Sequence, residues 1–513
     1  MPETNDSVLD EARSIFREVL RSRVYEIARR TPLEKAAKLS LRFNHQIYLK
    51  REDVQDVFSF KIRGAYNRIR QLTESEKEKG VICVSAGNHG QGVALSAKTF
   101  GIQATVVMPV TTPPIKIQAV KNFGAKVILE GDSYTEACAH CMELVERDGL
   151  VLIHPFDHPL VIAGQGTVGK EILEDLPDPD YIFVPVGGGG LIAGIACYVK
   201  ELYPHVKIIG VEPYESDGMS RSVECGERVI LQQTGTFADG VSVKQVGEIT
   251  YRLSAQLVDE FIRVSNDEIC SAIEHIYEET RAITEPAGAL AVAGIKKFLS
   301  QNPSLKESKI VGVNSGANMN FQRLHFVAER ASMGDGRESL LAIKLKEEPG
   351  SLLKLCEDVI SDQSITEFNY RYRDPDEAYI LVGLEDRHHM GLRTLCDRLS
   401  EHQYQFTDLT SNELVKVHIR HMVGGRGHGS PDELVYRFHF PDRPLALTEF
   451  LRTLGNRWNI SLFHHRSHGT DFKRVLIGMQ VPMDERNEFH GFLSEQKYDY
   501  TDETRNPAYH LFL

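Results

Sequence analysis

Four glycines in a row, in Pro185-Val186-Gly187-Gly188-Gly189-Gly190-Leu191, stand between a β-branched run and an apolar helical stretch. Consecutive backbone N–H groups without side chains can converge on one anion, and a helix N-terminus behind them adds roughly half a positive charge. The spacing therefore predicts a phosphate cup over Gly187–Gly190, with Leu191 opening the helix. It lacks the Lys-Ser/Thr of a P-loop and the Gly-x-Gly-x-x-Gly spacing of dinucleotide folds, which removes most support for a nucleotide. A plain strand-to-helix turn would need fewer glycines. Ser59-Phe60-Lys61 places a lysine at a helix start, with Ser59 as its cap and Ala65, Ile69 and Leu72 on one apolar face. Such a lysine is usually a solvated surface group, but near a helix N-terminus its amine can become a nucleophile. Ser85-Ala86-Gly87-Asn88-His89-Gly90-Gln91-Gly92 lies between a strand ending at Ala86 and a helix expected from Gly92 to Phe100. Its serine, amide and N–H groups could hold a carboxylate or a phenolic oxygen.

The elements that position these residues read as an α/β alternation. Strands are predicted at Val81–Ala86, Ala104–Pro109, Lys126–Gly131, Val151–Phe156, Tyr181–Val186, Val206–Val211 and Lys309–Val313. Helices such as Pro114–Phe123 and Thr135–Arg147 end at Gly124 and Gly149, as left-handed caps require. Near residues 332–339 the chain turns polar and glycine-bearing, and beyond it a module is written twice. Pro349, Leu352, Ile365, Phe368, Arg371, Leu381 and Gly383 recur 95 positions later as Pro444, Leu447, Ile460, Phe463, Arg466, Leu476 and Gly478. Each copy reads strand-helix-strand-strand-helix-strand, the ferredoxin-like order. Period-two alternation in Ala342–Leu345 and Tyr436–Phe440 puts one face of each sheet on its helices and leaves the opposite faces to pair.

Composition bounds the function. The 513 residues are 42% hydrophobic and 26% charged, enough for roughly two to four folded domains. A net charge of −13 without a basic run argues against nucleic acid or an acidic membrane surface as partner. Eight cysteines, mostly in apolar stretches, read as buried thiols of a reducing compartment. No apolar run approaches the ~20 residues of a membrane span, so the cytoplasm is expected. Cys138-x-His140-Cys141 and His464-His465-x-x-His468 are poor metal candidates, and no metal is assigned.

Together with Asn314-Ser315-Gly316-Ala317-Asn318, these motifs occur in the order found in fold type II (tryptophan synthase β-like) pyridoxal-phosphate enzymes. Within that class the whole chain resembles the biosynthetic threonine dehydratases, with His154-Pro155-Phe156-Asp157-His158-Pro159 and Glu285-Pro286-Ala287-Gly288-Ala289 also matching. The resemblance implies an α/β catalytic domain of two open twisted sheets with flanking helices, over 1–331. A connector at 332–339 would lead to α+β ACT-like subdomains at 340–415 and 434–513, joined by a linker at 416–433. It implies that Lys61 forms a Schiff base with pyridoxal 5'-phosphate and later takes the substrate α-proton, that Phe60 lies in the cofactor set, and that Gly187–Gly190 and Leu191 hold the phosphate. Asn88 would contact the ring hydroxyl and Ser315 the pyridine nitrogen, while Ser85, Ala86, Gly87, Asn88 and His89 receive the substrate carboxylate, with Ser85 also in the catalytic set. A serine hydroxyl can serve an unprotonated ring nitrogen, and the shallower electron sink suits elimination.

The implied reaction converts L-threonine, and also L-serine, to an oxo acid and ammonia; for threonine this gives 2-oxobutanoate, the first step toward isoleucine. Isoleucine and its antagonist valine would bind the tail near Glu348, Leu352, Phe368, Tyr370, Arg371, Leu447, Phe463 and Arg466, in a homotetramer. A degradative serine/threonine dehydratase or a β-replacement enzyme is the alternative, although such relatives generally lack a doubled tail. A cation site near Glu212 stays open, since Gly218 stands where relatives often carry an acid.

Overall fold

The computed structural model describes residues 5–346, 355, 358–359, 364–370, 377–385, 391–421, 432–441, 450, 453–454, 457–466 and 472–512. They divide into two compact units, Met1–Val327 and Ala328–Leu513. The first unit contains strands β1 (Leu33–Lys35), β2 (Gln46–Arg51), β3 (Val81–Val84), β4 (Ala104–Met108), β5 (Lys126–Leu129), β6 (Val151–Leu152), β7 (Tyr181–Pro185), β8 (Lys207–Pro213), β9 (Glu260–Val264) and β10 (Lys309–Asn314). They build a six-stranded sheet in the order β1-β2-β10-β7-β8-β9 and a four-stranded sheet in the order β5-β4-β3-β6. All pairs are parallel except β1 with β2. Parallel strands covered on both faces need apolar side chains throughout, and Val81–Val84 and Ala104–Met108 are buried at every position.

Three local departures from the sequence pattern have visible causes. The helix expected from Gly92 begins at Asn88, because Gly87 (φ −169°, ψ −115°) turns the chain and its carbonyl accepts the Gln91 N–H at 3.3 Å. The strand expected to Phe156 stops at Leu152, and the His154 ring then accepts the N–H groups of Phe156 and Asp157 at 3.3 and 2.8 Å. Ser59 does not cap the helix Lys61–Arg70, whose N-cap is Phe60. Instead Ser59 bridges Gly316, and Phe60 N–H donates to the Ser315 carbonyl at 3.2 Å.

Ala65, Ile69 and Leu72 do pack into the core around β3 and β4. On the opposite side of their helix, Arg63 is fully buried and donates to Glu52 at 2.8 Å and to Glu171 at 2.6 Å, while Lys50 donates to Glu171 at 2.5 Å. Two cations balance two carboxylates, as burial of charge demands. This cluster ties the helix two residues past Lys61 to β2 and to the helix Pro159–Asp175.

The second unit holds β11 (Glu338–Lys346), β12 (Ser364–Tyr370), β13 (Glu377–Glu385), β14 (Gln405–Asp408), β15 (Glu433–Pro441), β16 (Asn459–Arg466), β17 (Phe472–Gln480) and β18 (Tyr500–Asp502). Both copies form the same antiparallel sheet, β12-β13-β11-β14 and β16-β17-β15-β18. Leu341, Ile343 and Leu345 face the first copy's helices, and Tyr436, Phe438 and Phe440 face those of the second. Leu340, Ala342 and Leu381 share a third core with Val435 and Leu476, so the two opposite faces do pair. The helix Arg323–Gly334 runs through the expected boundary at 331–332. Part of the expected linker is also folded. Glu413–Val417 is a helix, and Val415, Val417 and Ile419 are buried, because this segment closes the shared core.

Candidate active site

Lys61 is the first residue of its helix, and its amine donates to the Pro155 carbonyl at 3.1 Å. Burial lowers its pKa from 10.5 to about 8, against the opposing pull of Glu285. Phe60 lies beneath it, with the ring centroid 5.1 Å from the amine. The next residue after Pro155 joins the lysine to the glycine run. A Cβ on Gly188 would lie 2.2 Å from the Phe156 ring, and one on Gly190 would lie 3.1 Å from the Phe156 backbone. Gly187 abuts the Val241 backbone at 2.8 Å by the same measure, and Gly189 has φ +92°. Larger residues do not fit here, and the first N–H groups of the helix Gly190–Leu202 have no intrahelical acceptor. Asp157 braces this corner by accepting N–H groups of Glu248, Ile249 and Thr250 at 2.8, 2.9 and 3.2 Å, and Thr250 donates to the Gly188 carbonyl at 2.6 Å.

The Ser85–His89 segment approaches from the other sheet. A Cβ on Gly92 would lie 3.2 Å from the Lys61 backbone. Ser85 Oγ accepts the Gly87 N–H at 3.1 Å. His89 Nε2 donates to the Ile153 carbonyl at 2.7 Å, which fixes the buried ring. Burial and the nearby Lys61 hold that ring neutral, with its pKa lowered to about 3. Asn88 donates through Nδ2 to Glu285 at 2.7 Å and accepts from Asn318 at 2.6 Å. Ser315 is buried and held beside Phe60 by the bond between their main chains.

Several polar residues here escaped the sequence reading. Lys116 pairs with Asp239 at 2.5 Å, and Arg323 donates to the same carboxylate at 2.8 Å. Burial alone would raise the Asp239 pKa, but Arg323 and Lys116 outweigh it and hold the carboxyl well below its usual range. Glu285 is 3% exposed, and burial together with Asp239 pushes its pKa up to about 7. Glu285 and Asn318 lie inside motifs visible in the sequence, where an acid before a helix-opening proline is the only local hint. Lys116, Asp239 and Arg323 carry no sequence signal. Glu212, where the sequence left the question of a cation site open, accepts the N–H groups of Met219 and Ser220 at 2.9 and 2.8 Å, one on each oxygen.

Of the expected tail residues, Glu348, Leu352, Arg371 and Leu447 lie outside the described residues. For Phe368, Tyr370, Phe463 and Arg466 only the strand backbone is described.

A family described as pyridoxal-phosphate dependent enzyme matches residues 24–316, so the fold and the site define this class and the cofactor is pyridoxal phosphate. The residues fit that group: the side-chain-free glycine corner can take a phosphate, Lys61 offers an amine of lowered pKa, and Ser59 Oγ and Asn314 Nδ2 are buried without a hydrogen-bond partner among the described residues. The C-terminal regulatory domain of threonine dehydratase matches residues 329–419 and again 424–513. L-threonine dehydratase biosynthetic IlvA of Burkholderia multivorans is 47% identical over 97% of this chain and 99% of its own length. The corresponding protein of Escherichia coli is 46% identical, covering 98% of both. Among solved structures, the processed form of threonine deaminase isoform 2 from Solanum lycopersicum superposes with a TM-score of 0.62 at 49% identity, covering 63% of this chain and 89% of that one. Maize serine racemase gives 0.58 at 34% identity, over 61% of this chain and 96% of that one. The chain belongs to the biosynthetic threonine dehydratase family.

Proposed function

We propose that the chain converts L-threonine to 2-oxobutanoate and ammonia, accepts L-serine as a second substrate, and is inhibited by isoleucine with valine as antagonist. The observation that carries this reading is the Lys61 amine, lowered to about 8 and hydrogen-bonded to the residue before Phe156, which in turn fills the space against Gly188 and Gly190. When bound, pyridoxal phosphate supplies a sink for the electron pair left on the α-carbon. Lys61 would anchor the cofactor covalently, and its free amine would take the substrate α-proton as a general base. Gly187–Gly190 and Leu191 hold the phosphate through backbone N–H groups. Main-chain groups of Ser85–His89 receive the substrate carboxylate, Asn88 serves the ring hydroxyl, and Ser315 offers a neutral hydroxyl to the ring nitrogen. Loss of the β-hydroxyl as water, followed by hydrolysis, balances threonine against 2-oxobutanoate plus ammonia.

The two tail copies would carry effector pockets around Glu348, Leu352, Phe368, Tyr370 and Arg371 and around Leu447, Phe463 and Arg466. The doubled match to a regulatory domain supports this assignment. We extend the proposal to a catalytic part ending near residue 331, a tetrameric assembly and a cytoplasmic location; no helix among the described residues is long and apolar enough to cross a membrane. Assay of oxo acid released from threonine tests the reaction. Activity is expected for the wild type, inhibition on adding isoleucine, and loss of both turnover and visible cofactor absorbance in Lys61→Ala. A fully active Lys61→Ala protein would refute the assignment.

A further inference from the structure

Asn88 has both ends of its amide committed by neighbours that leave one arrangement open. Asn318 Nδ2 donates to the Val57 carbonyl at 2.8 Å, which can only accept, so this atom is nitrogen. The same nitrogen approaches Asn88 at 2.6 Å, so the Asn88 atom facing it is the oxygen. Asn88 Nδ2 therefore points the other way, to Glu285 Oε1 at 2.7 Å, and its second hydrogen remains to be given. The main chain of Glu285 is anchored and two glycines make room for its carboxyl. Its N–H donates to the Gly316 carbonyl at 3.1 Å. Its carboxyl oxygen sits where a Cβ on Gly316 would be 2.7 Å away and one on Gly240 would be 3.3 Å away. Thr284, the preceding residue, can give its one hydroxyl proton to the Gly316 carbonyl at 2.7 Å, with the Asn314 side-chain amide 2.6 Å away, which holds the turn against the segment that carries Ser315.

We propose that Glu285 is a positioning residue of the cofactor site: with Asn318 it fixes Asn88 as a hydrogen-bond donor toward the phenolic oxygen of the cofactor ring. The proposal rests on the reading that Lys61 and Asn88 hold pyridoxal phosphate. It assigns the glutamate a task set by reach rather than by charge, because what Asn88 requires is an acceptor oxygen at this place. Glu285→Gln keeps such an oxygen at the same reach. Glu285→Asp keeps the charge but is one methylene too short.

Apo protein titrated with pyridoxal 5'-phosphate, followed by the visible band of the bound cofactor and by protein fluorescence, separates these cases. At metal sites, groups that orient a ligating side chain are typically worth ~10- to 100-fold, and the proposal assigns Glu285 an effect of the same order. Glu285→Asp is therefore expected to weaken cofactor binding by about tenfold or more and to move the visible band, while Glu285→Gln stays within about threefold of wild type. The combined Glu285→Asp, Asn88→Ala protein is expected to bind no more weakly than Asn88→Ala alone, since both changes remove one interaction. Wild-type affinity and spectrum in Glu285→Asp, or losses that add in the double variant, would overturn the proposal. So would a tenfold loss in Glu285→Gln, an arm that decides even if the aspartate variant does not fold. Failure of the underlying reading has a different mark: the wild type itself would give no visible band, or Lys61→Ala would give the same band.

Discussion

At the scale of single residues, the site is built by moving proton affinities with burial. Lys61 is the clearest case. Its amine is lowered to about 8 mainly because the charged form loses water, with Glu285 pulling the other way. Only the neutral amine can attack an aldehyde. The rate at which apo protein captures pyridoxal phosphate should therefore rise with pH, with a midpoint near 8, and level off well below the range of an exposed lysine. Stopped-flow absorbance across pH 6 to 10 measures this, taking ~2 units either side of the midpoint as the range that matters. A midpoint near 10.5 would mean that the lysine is solvated. The nearby Arg63, Lys50, Glu52 and Glu171 show the complementary solution, in which buried charges are kept by pairing rather than neutralised.

At the scale of elements, the duplicated tail repeats its hydrogen bonds as well as its strands. Thr410 accepts the Leu340 N–H at 3.0 Å, and Thr504 accepts the Val435 N–H at 3.1 Å. Asn412 caps its helix through Val415 N–H, Asn506 accepts from Ala508 N–H, and the two asparagines bond to each other at 3.1 Å. Glu413 breaks the symmetry. It receives Arg330 at 2.9 Å and Arg474 at 2.8 Å, joining the helix Arg323–Gly334, the helix Glu413–Val417 and β17. Burial would raise its pKa, but the two guanidinium groups win and lower it from 4.5 to about 2. A carboxylate depressed in the folded state contributes stability above its unfolded pKa and loses it as the pH falls toward the folded value. The tail should thus weaken between pH 4.5 and about 2, and Glu413→Gln should flatten that part of the profile while lowering stability near neutrality. Thermal unfolding of both proteins across this range measures the effect. Parallel curves for wild type and variant would show that the cluster is not linked to pH.

At the scale of the whole molecule, regulation requires an effector that binds one functional state more tightly than another. A coupling of ~1 to 3 kcal/mol corresponds to ~5- to 150-fold modulation of affinity. A chain ending near Gly336 should retain threonine turnover and lose its response to isoleucine. Inhibition that survives this truncation, read from oxo-acid release with and without isoleucine, would remove the tail from the regulatory role.

Much of this was legible in the sequence because it is local. Apolar runs of parallel strands, left-handed caps at Gly124 and Gly149, the four-glycine corner and the repeat offset all express backbone preferences or side-chain periods within a few residues. The tail topology followed from the same pattern, including that one face of each sheet packs on helices and the opposite faces pair, while the structure decided which residues lie on which face. The start of the helix at Asn88 and the folded segment in the expected linker were not legible, since each depends on what the chain packs against. Nor were the pairings at the site. Glu285 meets Asn88 across 197 positions, and Lys116 meets Asp239 across 123. Such contacts arise because the sheet order inserts β10 between β2 and β7, carrying the Asn314–Asn318 segment to Lys61 and Asn88. The sequence by itself determined which groups could do chemistry, while the tertiary structure decided which would be dry, which paired, and therefore which protons each one holds.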